Sequence, residues 1–135
     1  MLDFLKFENP REEYGIIKAT VHKSGRLGFS SGAQKFMNLS EDHKFKVGFN
    51  NEDKNDDSIY LVGTSKENEQ GFKVYKAGAY FYLKLKSVFE NNKIDYKNEN
   101  TIYNIEKITN GIEYYKLNKR ERVKKETEQK NQSTL

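Results

Sequence analysis

Cysteine is absent from the 135 residues, and proline occurs once. Without cysteine there is no disulfide framework, no thiolate zinc site and no cysteine nucleophile. Apolar residues make up only 35% of the chain, against a usual ~45–50%. No apolar run approaches the roughly 18–20 residues of a spanning helix, which excludes a helical membrane protein. The opening Met1-Leu-Asp-Phe-Leu-Lys6 is too short for a secretory leader and no small-residue cleavage site follows it, so a cytoplasmic location is expected. What the chain does have is aromatic side chains, 9 Tyr and 9 Phe. Disordered chains are depleted in these, so an ordered domain is expected.

The charge is uneven. From Lys116 onward seven basic residues, among them Lys119, Arg120 and Arg122, face three acidic ones, whereas the 24 basic and 20 acidic residues of the whole chain leave the body neutral. A basic tail is a common footprint of nucleic-acid binding and equally a solubilising appendage. Residues 118–135 carry helix formers, and over 120–128 Val123 is the lone apolar residue. They are expected to be a disordered or weakly helical tail that packs on nothing in its own domain.

The body, residues 15–117, reads as one domain preceded by a short segment, 1–14. Ile16 to His22 is β-branched and alternating, followed by the turn Lys23-Ser-Gly-Arg26 and a short strand Arg26–Ser30. Ser30 or Ser31 caps a short helix running to Leu39. Lys44 to Phe49 alternates strictly, with Phe45, Val47 and Phe49 on one face. An acidic loop, 50–57, leads to a strand over Ser58–Val62. The pattern then restarts: strand, glycine turn and strand over Phe72–Leu83, a short helix from Leu85 to Asn91, and a strand over Thr101–Ile108. Asn110-Gly111 signals a two-residue hairpin, which Ile112–Leu117 completes. Set 53 residues apart, Val21 meets Val74, Lys23 meets Lys76, Gly25 meets Gly78 and Phe36 meets Phe89. The order β-β-α-β-β thus occurs twice, over 15–63 and 71–117. Each unit of roughly 50 residues is too small for a good core of its own. The expected fold is mainly β (α+β): two repeats forming one compact barrel-like pseudo-dimer.

The stretch Thr20-Val-His-Lys-Ser-Gly-Arg-Leu-Gly-Phe, with the helix after it and the alternating Lys44-Phe-Lys-Val, resembles the AbrB-type swapped-hairpin DNA-binding domain. The two-copy organisation is similar to the MraZ branch of that family. The resemblance implies a duplex DNA-binding regulator of transcription, with a basic hairpin turn meeting the nucleic acid and a homodimer as a possible assembly. Ser30 stands where the family usually has proline, and the second copy has Ala79 in place of Arg26.

Two features carry the binding expectation. The first is the basic cluster Lys18, His22, Lys23 and Arg26, with Lys35 further along. Lys18 and His22 share a strand face, and a turn bearing Lys23 and Arg26 can clamp phosphates; alternatively these are solvated edge charges. The second is the run Tyr75, Tyr80, Phe81 and Tyr82, with Lys73, Lys76, Lys84 and Lys86 around it. With Tyr80 and Tyr82 exposed this is a stacking platform for single strands, as in proteins of the PUR and Whirly sort; covered, it is core. The charged tail residues Lys119, Arg120 and Arg122 complete the candidates. The histidines, His22 and His43, fall in different elements, and no catalytic motif is present. Asp53, Asn55 and Asp57 have calcium-loop spacing, but Ser58 replaces the required glycine and Thr64 the bidentate glutamate. No enzyme, cofactor, metal or membrane partner is expected; a self-associating interaction protein is the rival class.

Overall fold

The computed structural model describes Leu5, residues 14–98 and residues 100–120. Arg122 and the rest of the expected tail beyond Arg120 lie outside the described residues, as does most of the N-terminal segment. Among the described residues nine strands and two short helices follow one another. They are β1 (Lys18–Val21), β2 (Arg26–Phe29), α1 (Ser31–Met37), β3 (Lys44–Gly48), β4 (Ile59–Thr64), β5 (Phe72–Lys73), β6 (Tyr75–Ala77), β7 (Tyr80–Lys84), α2 (Lys86–Asn91), β8 (Thr101–Asn110) and β9 (Ile112–Lys119). The chain is mainly β, as its alternating patterns imply.

The strands pair antiparallel in the order β5-β3-β4-β9-β8-β1-β2-β7-β6. Its two ends, β5 and β6, are separated in sequence by Val74 alone. One continuous stretch of chain therefore joins both edges, and the sheet nearly closes into a barrel. Val74 is fully buried, and its N–H donates to the His43 carbonyl at 3.1 Å. Near-closure removes the long unpaired edges that invite aggregation.

Alternation along the strands fills the interior. Ala19 and Val21, Leu27 and Phe29, Phe45, Ile59 and Leu61, Leu83, Tyr103 and Ile105, and Leu117 form one core cluster, to which the helices add Ala33, Met37 and Phe89. The residues between them, Lys18, Thr20, Arg26, Gly28, Tyr80 and Tyr82, take the outward face.

Ser30 caps α1 as expected. Its hydroxyl oxygen accepts the N–H groups of Ala33 and Lys18, both at 3.1 Å, and its O–H donates to the Ile16 carbonyl at 2.6 Å. One side chain thus ties the helix start to the entry of β1. Replacing Ser30 by Ala is expected to lower stability by about 1–2 kcal/mol, read as a shift in denaturant midpoint, with Ser30→Thr retaining most of it.

The last hairpin departs from the two-residue turn that Asn110-Gly111 implies. Ile108 pairs with Tyr114 and Thr109 with Glu113, leaving an odd number of residues between the strands, with Gly111 at the tip with φ +82°. Asn110 itself pairs with Ile112, so Gly111 alone stands between the strands, in a left-handed conformation that glycine adopts at little cost. β9 continues past Leu117 to Lys119, and the Arg120 N–H donates to the Ile102 carbonyl at 2.8 Å.

Candidate nucleic-acid interface

The order β1-β2-β7-β6 puts the two candidate features of the sequence onto one outward surface. Across the β2–β7 ladder Arg26 stands opposite Lys84 and Gly28 opposite Tyr82, and across β6–β7 Tyr75 stands opposite Tyr82. The rings form a stack. Tyr82 lies 5.7 Å from Tyr75 at 18° and 5.5 Å from Tyr80 at 24°, centroid to centroid. Tyr80 can lie across β2 because position 28 has no side chain: a Cβ there would come within 1.8 Å of the Tyr80 hydroxyl.

Cations rest on this aromatic floor. The Arg26 guanidinium is 4.1 Å from the centre of the Tyr82 ring, and the Lys84 ammonium is 4.2 Å and the Lys73 ammonium 5.4 Å from that of Tyr75. Each such contact contributes about 0.5–1 kcal/mol at an exposed site. His22 meets the edge of Tyr80 at 6.0 Å. Lys18, half-buried, pairs across β1–β8 with Asn104, whose side-chain oxygen accepts from Arg120 Nη2 at 2.8 Å. Arg120 thereby borders the same face.

Direct opposition of Arg26 and Lys84 is unfavourable in a strand pair, and no carboxylate offsets it. Among the described residues the ion pairs are Lys66–Asp42 at 3.4 Å and Lys107–Glu113 at 2.6 Å, and neither involves a cation of this face. Burial and then the neighbouring Arg26 charge lower the His22 pKa, so the imidazole is neutral at pH 7. Burial pushes the Tyr80 hydroxyl up, which keeps it a neutral donor.

The turn itself differs from expectation. Gly25 is buried: its carbonyl accepts the Leu85 N–H at 2.9 Å, and the turn packs on Lys86 at the start of α2. Arg26 is half-buried, lying flat on Tyr82 instead of projecting from a free tip, while Lys23 remains exposed. Alternation explains this, since Arg26 is already the first residue of β2 and points outward beside β7. Tyr80 and Tyr82 are neither open platform nor barrel core. Tyr82 is only 7% exposed, covered from outside by Tyr75, Tyr80 and Arg26, which leaves no open ring face on it for a base.

Other candidates lie apart. Lys76 is on the opposite side of β6, its ammonium 5.6 Å from the Phe81 ring. Lys35 is exposed in the last turn of α1. Lys119 lines a separate cleft beside Asp53, Asp56 and Asp57. In that loop the Asp53 carboxylate accepts the Asn55 N–H at 3.0 Å, while Asp56 accepts the Ser58 N–H at 3.0 Å and the Tyr60 hydroxyl, which holds its carboxyl far below the usual range. Two of these carboxylates are thus engaged in shaping the loop, and among the described residues no group of three or more His, Cys, Asp or Glu is placed to hold a metal ion. No described helix is long and apolar enough to cross a membrane. No family model, curated protein or solved structure matches the chain.

Proposed function

We propose that the chain is a duplicated swapped-hairpin protein that binds nucleic acid, duplex DNA foremost, through the outward face of β1, β2, β7 and β6, and acts as a non-enzymatic regulator. The duplication is supported by the pairing pattern, which maps onto itself when the halves are exchanged. With the broken strand β5–β6 standing for β1, hairpins β1–β2 and β3–β4 correspond to β6–β7 and β8–β9, the pair β1–β8 corresponds to β5–β3, and β2–β7 and β4–β9 each map onto themselves. Each first hairpin turn is also held by the other half's helix, Gly25 by the Leu85 N–H and the Ala79 carbonyl by Gln34 Nε2 at 3.2 Å. The helix ends Leu39→Gln34 and Ile94→Phe89 then correspond, so Phe89 aligns with Gln34 instead of Phe36. The halves differ in their turns, three residues (23–25) in the first and two (78–79) in the second.

The observation that carries the binding proposal is the set Arg26, Lys84 and Lys73, held over tyrosine rings with no carboxylate partner among the described residues. Such charges are pre-placed for an anion, and phosphate contacts supply most sequence-independent affinity. Duplex is favoured over single strands because Tyr82 has no ring face to offer a base. The test is a shift assay with duplex and single-stranded probes at two salt concentrations. Duplex binding that weakens steeply with salt supports the proposal; binding of neither probe at low salt overturns it in favour of a protein–protein module. Stronger binding of the single strand, lost on Tyr80→Ala, moves the assignment to the single-strand class.

His22 gives this binding a pH dependence. A phosphate beside it favours the imidazolium that burial and Arg26 disfavour, so binding takes up a proton. Affinity is expected to rise as pH falls through the ordinary imidazole value of about 6.5 and below, with His22→Gln flattening the profile in binding titrations.

A further inference from the structure

At one end of the basic face, β1, β2, α1 and the turn before β7 line a shallow, open cleft of about 450 Å³, within the size range of small-ligand sites. Tyr80 supplies aromatic surface, Lys18 the charge and His22 a neutral imidazole, and no carboxylate of the described residues lines it. Gln34 spends both amide hydrogens internally, donating to the carbonyls of Phe29 at 3.1 Å and Ala79 at 3.2 Å. Its Oε1 is thereby fixed as an acceptor with no donor among the described residues, and the Thr20 hydroxyl, which lines the same cleft, likewise has no hydrogen-bond partner among them. An aromatic wall, an oriented acceptor, a hydroxyl and an adjacent ammonium together match a planar heterocycle with exocyclic N–H groups attached to a phosphate.

We infer that this cleft takes one unpaired nucleotide unit, its base against Tyr80 with an amino group donating to Gln34 Oε1, and its phosphate at Lys18. Thr20 and Gln34 then become base-contacting residues. The unit has two possible sources, a free nucleotide or an unpaired nucleotide of a bound strand; the second rests on the backbone binding proposed above. Because Lys18 and His22 serve both surfaces, a free nucleotide competes with nucleic acid for them.

The experiment uses the full chain. Adenosine monophosphate alone and inorganic phosphate alone are titrated while the amide signals of Thr20, Gln34 and Tyr80 are followed by NMR. In parallel, a blunt duplex is compared with the same duplex carrying an unpaired terminal adenosine. The nucleotide is expected to shift all three signals, with phosphate leaving Gln34 unmoved, and the overhang to bind about fivefold tighter or more. Ser31→Trp, which places a large ring at an exposed position of the lining, should abolish both effects without changing blunt-duplex affinity. Ala79→Trp does the same from the opposite wall if the first variant fails to fold. Identical responses to nucleotide and phosphate, with both duplexes bound equally, overturn the cleft assignment and leave backbone binding standing. A nucleotide response with no duplex bound at low salt upholds the cleft for free nucleotides and overturns the backbone reading instead.

Discussion

Replacing Gly25 by alanine is expected to lower stability by about 2–5 kcal/mol, more than any other single methyl group added at a turn of this chain. Two costs combine at this position. Its φ is +87°, where an L side chain strains the backbone by about 1–2 kcal/mol. The added Cβ would also stand 2.5 Å from the Lys86 Cβ and 2.8 Å from its Cα. The second of these is backbone, which cannot rotate away as a side-chain tip would. Relief requires the hairpin to lift from α2, which breaks the Leu85 N–H to Gly25 carbonyl bond of 2.9 Å. Gly111→Ala is the control: its φ is +82°, but a Cβ there meets nothing within 4 Å, so strain alone, about 1–2 kcal/mol, is expected. Urea unfolding of both variants separates the two costs. Equal losses would mean that the β1–β2 turn is not docked on α2.

That docking is also where the sequence ceased to be informative. Local chemistry was legible: Gly25, Gly78 and Gly111 mark turns, Ser30 caps α1, and the alternation of Phe45 and Val47 orients β3, because each depends on residues within one turn or strand. Pairing between distant segments was not. Nothing near Arg26 says that β2 lies beside β7, so the basic cluster and the tyrosines read as competing sites when they are one surface. Lys84 was visible only as a neighbour of the tyrosines; its role follows from its register opposite Arg26. Nothing in the sequence around Gly28 gives that glycine a reason, and the ring of Tyr80 lying over it does. The split of 72–77 into β5 and β6 around Val74 was hidden for the same cause, since it depends on which strand each half meets.

The combined variant Arg26→Gln with Lys84→Gln is expected to separate binding from folding. In the free protein these charges face each other across β2–β7, a repulsion that removing both relieves. The same change gives up two contacts with tyrosine rings, at 4.1 and 4.2 Å, each contributing about 0.5–1 kcal/mol. The two effects oppose each other, so the melting temperature should barely move. Duplex affinity should fall sharply, by about 1.5–3 kcal/mol for each charge-assisted phosphate bond lost. The plot of log affinity against log salt should flatten by about two units, and the loss should be uniform across DNA sequences. Lys23→Ala, at the exposed tip of the turn, should change the slope by one unit at most. A large loss of stability with unchanged binding would mean that Arg26 and Lys84 serve only to hold the tyrosine stack together, and the phosphate contacts would then have to lie elsewhere on the chain.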